Sequence, residues 1–101
     1  MGINCYLEDE RGKKLDGILD EKMILPKLIP YFDPAFPLIR YIDLYGNTVF
    51  NQVQLPEVIS ELRKLSENIQ IDEHRQFLDR IIEFISDAQN RVHLYIKFYG
   101  D

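Results

Sequence analysis

Two amphipathic helical patterns that follow one another, with no strand between them, are the feature that most constrains the fold. Apolar residues recur every three or four positions from Leu55 to Ile69 and again from Phe77 to Ala88. Each pattern has one apolar side that must be buried against another element. Because the helices are consecutive, a doubly wound parallel sheet, which alternates strands with helices, is disfavoured. The patterns predict two helices packed on one face of a mainly antiparallel sheet.

Local signals place the ends of these helices. Pro56 fits the first turn of the first helix, where its missing N–H does no harm. Asp72 is a good N-cap for the second helix, which we expect to end near Asn90.

The clearest strand pattern is VHLYIKFY near the end of the sequence. It alternates one apolar set with one polar or aromatic set: Val92, Leu94, Ile96 and Phe98 against His93, Tyr95, Lys97 and Tyr99. This period of two predicts a half-buried strand whose apolar side faces the helices. Its place in the sheet, inside or beside the first strand, stays open.

The first residues predict a hairpin. INCYLED alternates in the same way, and Gly12 in ERGK supplies a turn, after which KLDGILD returns as a weaker strand. Gly17 within that return indicates a bulge or an edge strand.

The middle of the chain combines a loop with a second predicted hairpin. Residues 26–37 contain four of the five prolines, which predicts a loop with at most one helical turn. PLIRYID then reads as a strand and TVFN as its return. Gly46 and Asn47 in the intervening LYGN suit a tight turn, Gly46 by adopting a positive φ. Together these elements predict one α+β domain over residues 1–101, with about five strands.

Composition and charge favour some functions over others. Hydrophobic residues make up 46% of the 101 residues and charged residues 29%, which is typical of a globular chain. The 17 acidic and 12 basic residues give a net charge of -5, and no Lys/Arg run could follow a phosphate backbone, so nucleic acid is not an expected partner. No signal peptide and no long apolar run is found, so we expect a soluble cytoplasmic protein with no membrane contact.

Three stretches carry a family resemblance. FPLIRYIDLYGNTVFNQVQLP and VHLYIKFYGD, together with YLEDERGK, look like segments of a family of small bacterial proteins of about this length. The resemblance spans the start, middle and end of the chain. It implies no activity, no cofactor and no catalytic residue.

The motifs of common catalytic and cofactor sites are missing from the sequence. Cys5 is the single cysteine, and the two histidines, His74 and His93, are far apart with no metal-ligand spacing, so neither a metal nor another cofactor is expected. No serine has a nucleophile-elbow setting and no glycine-rich phosphate loop exists.

A polar cluster around the second predicted hairpin is one candidate site. Its members are Arg40, Asp43, Asn47, Asn51 and Gln54. Backbone amides at this corner could attract an anion, or Asn51 and Gln54 could simply satisfy the corner between strand and helix. Arg40 alternates into an apolar phase, which favours an ion pair with Asp43 or a helix acid over a substrate clamp.

The outward side of the last strand is the second candidate site. Its residues are His93, Tyr95, Lys97 and Tyr99, with Tyr6 joining from the first strand. Tyrosine offers contact area and a hydroxyl that tolerates water, and it is enriched where proteins meet. The alternative is that the proline-rich loop folds back over this face.

These patterns favour a noncatalytic interaction protein: a homodimer through the sheet, or an acidic partner-binder such as an inhibitor or immunity-like protein. Its charged surface would be the acidic side of the helices: Glu57, Glu61, Glu67, Asp79, Glu83 and Asp87. The competing hypothesis is a small ligand-binding domain or enzyme at the 43–54 corner, with Asp43 as base, His93 as acid and Asn51 as orienting group.

Overall fold

An antiparallel sheet of four strands organises residues 2–100, the part of the chain that the computed structural model describes. The strands are β1 (Asn4–Asp9), β2 (Lys14–Ile18), β3 (Asn47–Phe50) and β4 (Leu94–Tyr99), in the order β2-β1-β4-β3. The α+β class and the antiparallel sheet are confirmed. The expected number of about five strands is one too many, because one predicted strand does not form.

The first and last strands of the chain pair at the centre of the sheet. Asn4 lies opposite Tyr99 and Asp9 opposite Leu94, and β4 also pairs with β3. The last strand therefore lies inside the sheet and beside the first strand, which satisfies both placements that the sequence left open. The free edges belong to β2 and β3.

The predicted first hairpin, β1–β2, is present. Gly12 has φ +82°, and the Asp9 carboxylate accepts the amides of Arg11 and Lys13 at 2.9 Å each, which holds the turn. These amides, Lys13 first, lower the pKa of Asp9. β2 is an edge strand as Gly17 indicated, and the pairing with β1 is irregular near Leu15 rather than at Gly17.

Both predicted helices form. α1 (Leu25–Leu28) is the single turn expected in the proline-rich loop, and α2 (Leu55–Glu67) and α3 (Asp72–Ala88) are the amphipathic pair. The buried residues of α3 are the six that periodicity selects: Phe77, Leu78, Ile81, Ile82, Ile85 and Ala88. None of the helices between residues 2 and 100 has the length and apolar composition needed to cross a membrane.

The core lies between the sheet and the two long helices. Cys5, Leu7, Ile96 and Phe98 are at most 5% exposed and belong to the same buried cluster as the apolar sides of α2 and α3. Phe98 meets Phe50 of β3 edge to face, with ring centroids 6.0 Å apart. One face of the sheet is thus covered, and the other is left to the candidate site.

The segment PLIRYID is not a strand, which corrects the prediction of a second hairpin. Ile39–Tyr41 forms a short 3-10 helix instead. The amides of Leu38 and Ile39 donate to Glu61 Oε1 of α2, each at 3.0 Å, so they are not available to a sheet. Ile39 and Ile42, three positions apart, are both buried. That spacing belongs to a helical turn rather than to an alternating strand.

The stretch LYGN is therefore a connection from the 3-10 helix to β3 rather than a hairpin turn. Gly12 is the one glycine with positive φ between residues 2 and 100, so the expected positive φ at Gly46 is wrong. Gly46 instead accepts a hydrogen bond from the Gly100 amide at 2.7 Å. This bond extends the pairing of β3 with β4 by one residue.

Candidate functional site

The side of the sheet away from the helices carries the candidate site. Directly opposed residues on neighbouring strands point to the same side, so the register identifies every member. We call this side the outer face; its residues are Asn4, Tyr6, Glu8, Lys14, Gly17, Asn47, Val49, Tyr95, Lys97 and Tyr99. Four of the five predicted interaction residues, Tyr6, Tyr95, Lys97 and Tyr99, are thus brought together.

A buried carboxylate lies at the centre of the outer face. Glu8 is 3% exposed although it points away from the core. Tyr99 donates a hydrogen bond to it through the phenolic hydroxyl. Lys14 Nζ and Lys97 Nζ lie 3.8 Å from its two carboxylate oxygens, one on each side. Glu8 therefore fixes the positions of three longer side chains that cover it.

Aromatic rings and ammonium groups pack against one another above Glu8. The rings of Tyr6 and Tyr99 meet edge to face, with centroids 5.3 Å apart and planes at 84°. Lys14 Nζ lies 4.5 Å from the centroid of Tyr99, and Lys97 Nζ lies 4.8 Å from it. The Tyr99 ring is thus in cation–π contact with both lysines. Hydrogen bonding to Tyr99, together with the charge of Glu8, raises the pKa of Lys14.

The outer face has a local charge opposite to that of the whole chain. Lys14 and Lys97 share one carboxylate, Glu8, so their cluster has an excess of positive charge. The chain as a whole carries -5. The side chains of Lys14 and Lys97 are 48% and 24% exposed, which leaves part of this charge accessible.

Sequence reasoning missed Glu8 and Lys14. The signal was present, because Glu8 shares the alternation phase of Tyr6 in β1. Lys14 could be found only from the hairpin register, which the irregularity near Leu15 shifts by one residue.

His93 is not part of the outer face. β4 begins at Leu94, and His93 precedes it with φ +61°, a backbone conformation that interrupts the alternation. Its imidazole points to Glu10 at 3.4 Å and is 75% exposed. Val92, expected on the buried side, is 67% exposed for the same reason.

The proline-rich loop contacts α2. Lys64 Nζ reaches the carbonyl of Ala35 at 3.5 Å and lies 5.0 Å from the centroid of the buried Phe36. The next residues, Leu38 and Ile39, are held by Glu61. Tyr95 and Tyr99 are half-buried on the opposite side of the sheet.

The polar corner is built from local hydrogen bonds. The amide of Asn51 donates to Gln54 Oε1 at 2.9 Å, and the amide of Gln54 donates to Asn51 Oδ1 at 3.0 Å. This reciprocal pair caps the entry to α2. Asp43 accepts the Tyr45 amide, and its own amide donates to Thr48 Oγ1.

Arg40 makes no ion pair between residues 2 and 100, which corrects the expected pairing with Asp43 or a helix acid. The loss of the predicted strand removes the alternation on which that expectation rested. Arg40 Nη2 donates to the hydroxyl of Tyr41 at 2.7 Å, and the guanidinium lies 4.7 Å from the Tyr41 ring centroid.

The residues of the competing catalytic arrangement are far apart. His93 precedes β4, whereas Asp43 lies near the other end, where the Gly100 Cα is close to the Asp43 carbonyl. A six-residue strand lies between them, a length of roughly 20 Å. Asp43 and His93 therefore cannot share a proton relay in this fold.

Two more buried carboxylates hold the backbone. Asp20 accepts the amides of Ile3, Ile24 and Leu25 at 3.1, 2.7 and 2.9 Å, and so caps α1 and ties it to β1. Glu61, expected on the acidic helix surface, is 3% exposed because it binds the 3-10 helix. Burial raises the pKa of Glu61, against the lowering effect of the amides of Ile39 and Leu38.

Metal clusters and concave pockets are the other kinds of site that a chain of this size could carry. Across residues 2–100, no group of three His, Cys, Asp or Glu side chains could hold a metal ion. A shallow depression of about 510 Å³ lies between the β2–α1 connection and α3. A hydrogen bond of 2.9 Å joins Lys22 to Glu73, two of the residues that line it. The outer face remains the more organised surface.

Comparison of the chain with protein-family models, with curated proteins and with solved structures finds no match. The resemblance to small bacterial proteins stays a prediction.

Proposed function

We propose that the protein is a noncatalytic interaction domain that binds another protein through its outer face. The observation that carries this proposal is the cluster of Tyr6, Lys14, Lys97 and Tyr99 held in place over the buried Glu8. Side chains that are already ordered lose little entropy on binding, which raises the affinity that a given contact area can give. Tyrosine surrounded by fixed neighbours is also a frequent binding hot spot.

The charge of the outer face favours an acidic contact on the partner. Two lysines and one glutamate leave positive charge at the centre, and Tyr95 adds aromatic area beside it. A partner carboxylate there would meet both ammonium groups. Such a protein acts by occupying its partner, as an inhibitor or immunity-like protein does.

Binding through the outer face can be tested with two surface substitutions. The Tyr95→Ser/Lys14→Gln variant removes one aromatic contact and one charge but leaves the Tyr99–Glu8 hydrogen bond and the core intact. It should weaken binding by about 2 kcal/mol, roughly thirtyfold, because hot-spot contacts are lost. The measurement is capture of partners by tagged protein, followed by titration of the recurrent one.

The control variant is Ile71→Ser/Lys27→Gln, which replaces one exposed apolar side chain by serine and removes one lysine charge on the helix side. Ile71 is 57% exposed and Lys27 is exposed, so neither change affects the core. A recurrent partner should bind this control and the unmodified protein equally. Equal binding to the outer-face variant, or no recurrent partner at all, contradicts the proposal.

A further inference from the structure

The two free edges of the sheet differ in how they are protected. An unpaired edge strand is a template for another strand, and proteins usually block it with charges, bulges or side chains that satisfy the backbone. The β2 edge has all of these: the charged Lys14 and Asp16, the irregularity at Leu15, and an Asp16 carboxylate that accepts the Gly17 amide at 2.8 Å. Strand addition at β2 is therefore disfavoured.

Within β3 itself (Asn47–Phe50) none of these devices occurs. No charged residue occurs between Asp43 and Glu57, although charged residues are 29% of the sequence. Within this neutral stretch, Tyr45, Val49 and Val53 are 81%, 50% and 88% exposed. An exposed, uncharged edge strand of this kind is typical of a site for strand addition.

The backbone groups that point out of this edge follow from the pairing with β4. The Gly100 amide donates to the Gly46 carbonyl, its direct partner in the register, so this is a hydrogen-bonded pair. Such pairs alternate along antiparallel strands. The N–H and C=O groups of Asn47 and Val49 therefore point away from β4, toward solvent. Among residues 2–100, no backbone hydrogen bond outside the sheet involves either residue.

Asn47 and Val49 form a short gap in the free edge, and on both sides of this opening side chains of the same protein accept hydrogen bonds from the backbone amides. The Tyr45 amide donates to Asp43 Oδ1 at 2.8 Å, and the Asn51 amide donates to Gln54 Oε1 at 2.9 Å. Only Asn47 and Val49, between them, lack such a partner on the free edge. The opening is therefore limited to the length of β3 (Asn47–Phe50).

We infer that β3 pairs antiparallel with β3 of a second copy of this chain, so that two sheets join into one of eight strands. In the register centred on Thr48, Asn47 lies opposite Val49 of the second copy, and Val49 opposite its Asn47. Each pair exchanges two hydrogen bonds, which uses all four outward-pointing groups of each copy. Asn47 and Val49 are thus self-complementary, as a two-fold interface requires.

Charge favours a second copy over a charged partner at this edge. A second copy carries the same residues, so a charge close to the two-fold axis meets the same charge on the copy, and an uncharged edge avoids this repulsion. The stretch between Asp43 and Glu57 has no charge to repel. The remaining net charge of -5 on each copy opposes association from a distance, and salt screens that repulsion. The dimer should therefore become tighter as salt concentration rises.

The test is sedimentation of the full chain over a concentration series up to the high micromolar range. The mass of the unmodified protein should rise from 12.0 kDa toward twice that value. Val49→Pro removes an N–H that faces the free edge and no bond to β4, so it should weaken the dimer by about tenfold or more. The amides of Asn47 and Val49 should exchange hydrogen more slowly as concentration rises.

A second pair of variants covers the case in which proline disturbs the strand. Val49→Glu places a carboxylate opposite Lys97 within the monomer. Across the dimer it places two carboxylates on the diagonal, about 7–8 Å apart, at an edge that has no other charge. Leu15→Glu makes the same change on the β2 edge, where Leu15 is 44% exposed. Only Val49→Glu should prevent association.

Three results would overturn the inference. They are a mass of 12.0 kDa at every concentration, equal dimerisation of Val49→Glu and Leu15→Glu, and a dimer lost on Tyr95→Ser but kept in Val49→Glu. The last result would place self-association on the outer face. If the β3 dimer is disproved, the proposed binding of a partner through the outer face is unaffected. The two proposals are tested separately, because Tyr95 and Lys14 are not on the β3 edge.

Discussion

Asp20 and Glu61 are both buried carboxylates that bind backbone amides, but they use their oxygens differently. Glu61 receives the amides of Leu38 and Ile39 on the same oxygen, Oε1. Asp20 uses both oxygens, Oδ1 for Ile24 and Oδ2 for Ile3 and Leu25. A side-chain amide keeps only one acceptor oxygen, so the two positions should respond differently to isosteric replacement.

We expect Asp20→Asn to cost about 2 kcal/mol or more of unfolding free energy and Glu61→Gln less than about 1 kcal/mol. The Asp20→Asn change makes an NH2 group face a backbone N–H in the core, whereas Glu61→Gln keeps the single oxygen that accepts both amides. Urea denaturation of the two variants measures the difference. Similar costs for both variants would contradict this assignment of oxygens.

The stability of the protein should also depend on pH through Glu61. Its folded-state pKa is raised by burial, so the folded state holds this proton to a higher pH than the unfolded state does. The contribution of Glu61 to stability is therefore largest below its unfolded pKa and is lost as pH rises through the folded pKa. As the pH rises from about 4 to about 7, the free energy of unfolding of Glu61→Gln should therefore increase relative to that of the unmodified protein.

Urea denaturation at these two pH values tests the dependence. A constant difference between Glu61→Gln and the unmodified protein would show that Glu61 does not titrate differently in the two states. Ser60→Ala, an exposed change on the same helix, provides the control for other pH effects.

At the scale of single elements, local pattern predicted most of the fold. The six buried positions of α3 follow from spacing alone, as does the burial of Leu94, Ile96 and Phe98 in β4. The strand predicted at residues 37–43 does not form. Its apolar residues fit both the alternation of a strand and the three-residue spacing of a helical turn. Its backbone amides are taken by Glu61, a contact across more than twenty positions that no local window contains.

Tyr95 and Tyr99 look equivalent in the alternating sequence of β4 but differ in the sheet. Tyr99 donates to the buried Glu8, whereas Tyr95 has no hydrogen bond of its hydroxyl among residues 2–100. We expect Tyr99→Phe to cost about 1–3 kcal/mol, since it leaves a buried carboxylate with one partner fewer. Tyr95→Phe should change stability by less than about 0.5 kcal/mol, as surface substitutions usually do. Equal effects in thermal unfolding would contradict the central role of Glu8.

Gly17 in β2 leaves the space that the Tyr6 ring occupies. A Cβ at position 17 would lie 2.5 Å from Tyr6 Cδ1, closer than atoms can approach. Gly17→Ala should therefore displace the ring and cost about 1–3 kcal/mol. The cost should largely vanish in a Tyr6→Ala background, where the ring is absent, and a double-mutant cycle measures this coupling. A cost that persists without the ring would mean that backbone conformation, rather than Tyr6, requires glycine.

At the scale of the whole molecule, the sequence located the outer face but not its centre. Alternation identifies Tyr6, Tyr95, Lys97 and Tyr99 one strand at a time. The cluster around Glu8 depends on strand order and register, which bring β1 between β2 and β4. Strand order is a property of the assembled sheet, and the local patterns of a single sequence do not reveal it.

The strand order makes β4 indispensable. Within the described residues 2–100, it is the only strand paired with β3 and one of the two paired with β1. A chain ending at residue 93 should therefore lack a cooperative unfolding transition, as followed by circular dichroism. Addition of a peptide of residues 92–101 should restore the transition, because the missing strand can pair in trans. Cooperative unfolding of the shortened chain alone would contradict the central position of β4.

The pairing of β1 with β4 has a consequence for synthesis on the ribosome. Within residues 2–100, β1 is made before the other strands and β4, its partner in the central pair, is made after them. Until β4 is made, β1 can pair only with β2, and an isolated hairpin is marginally stable in water. The central pair joins residues that are 85 to 95 positions apart, from Asp9–Leu94 to Asn4–Tyr99. Contacts of such long range slow folding, and the nascent sheet is exposed to aggregation until β4 completes it.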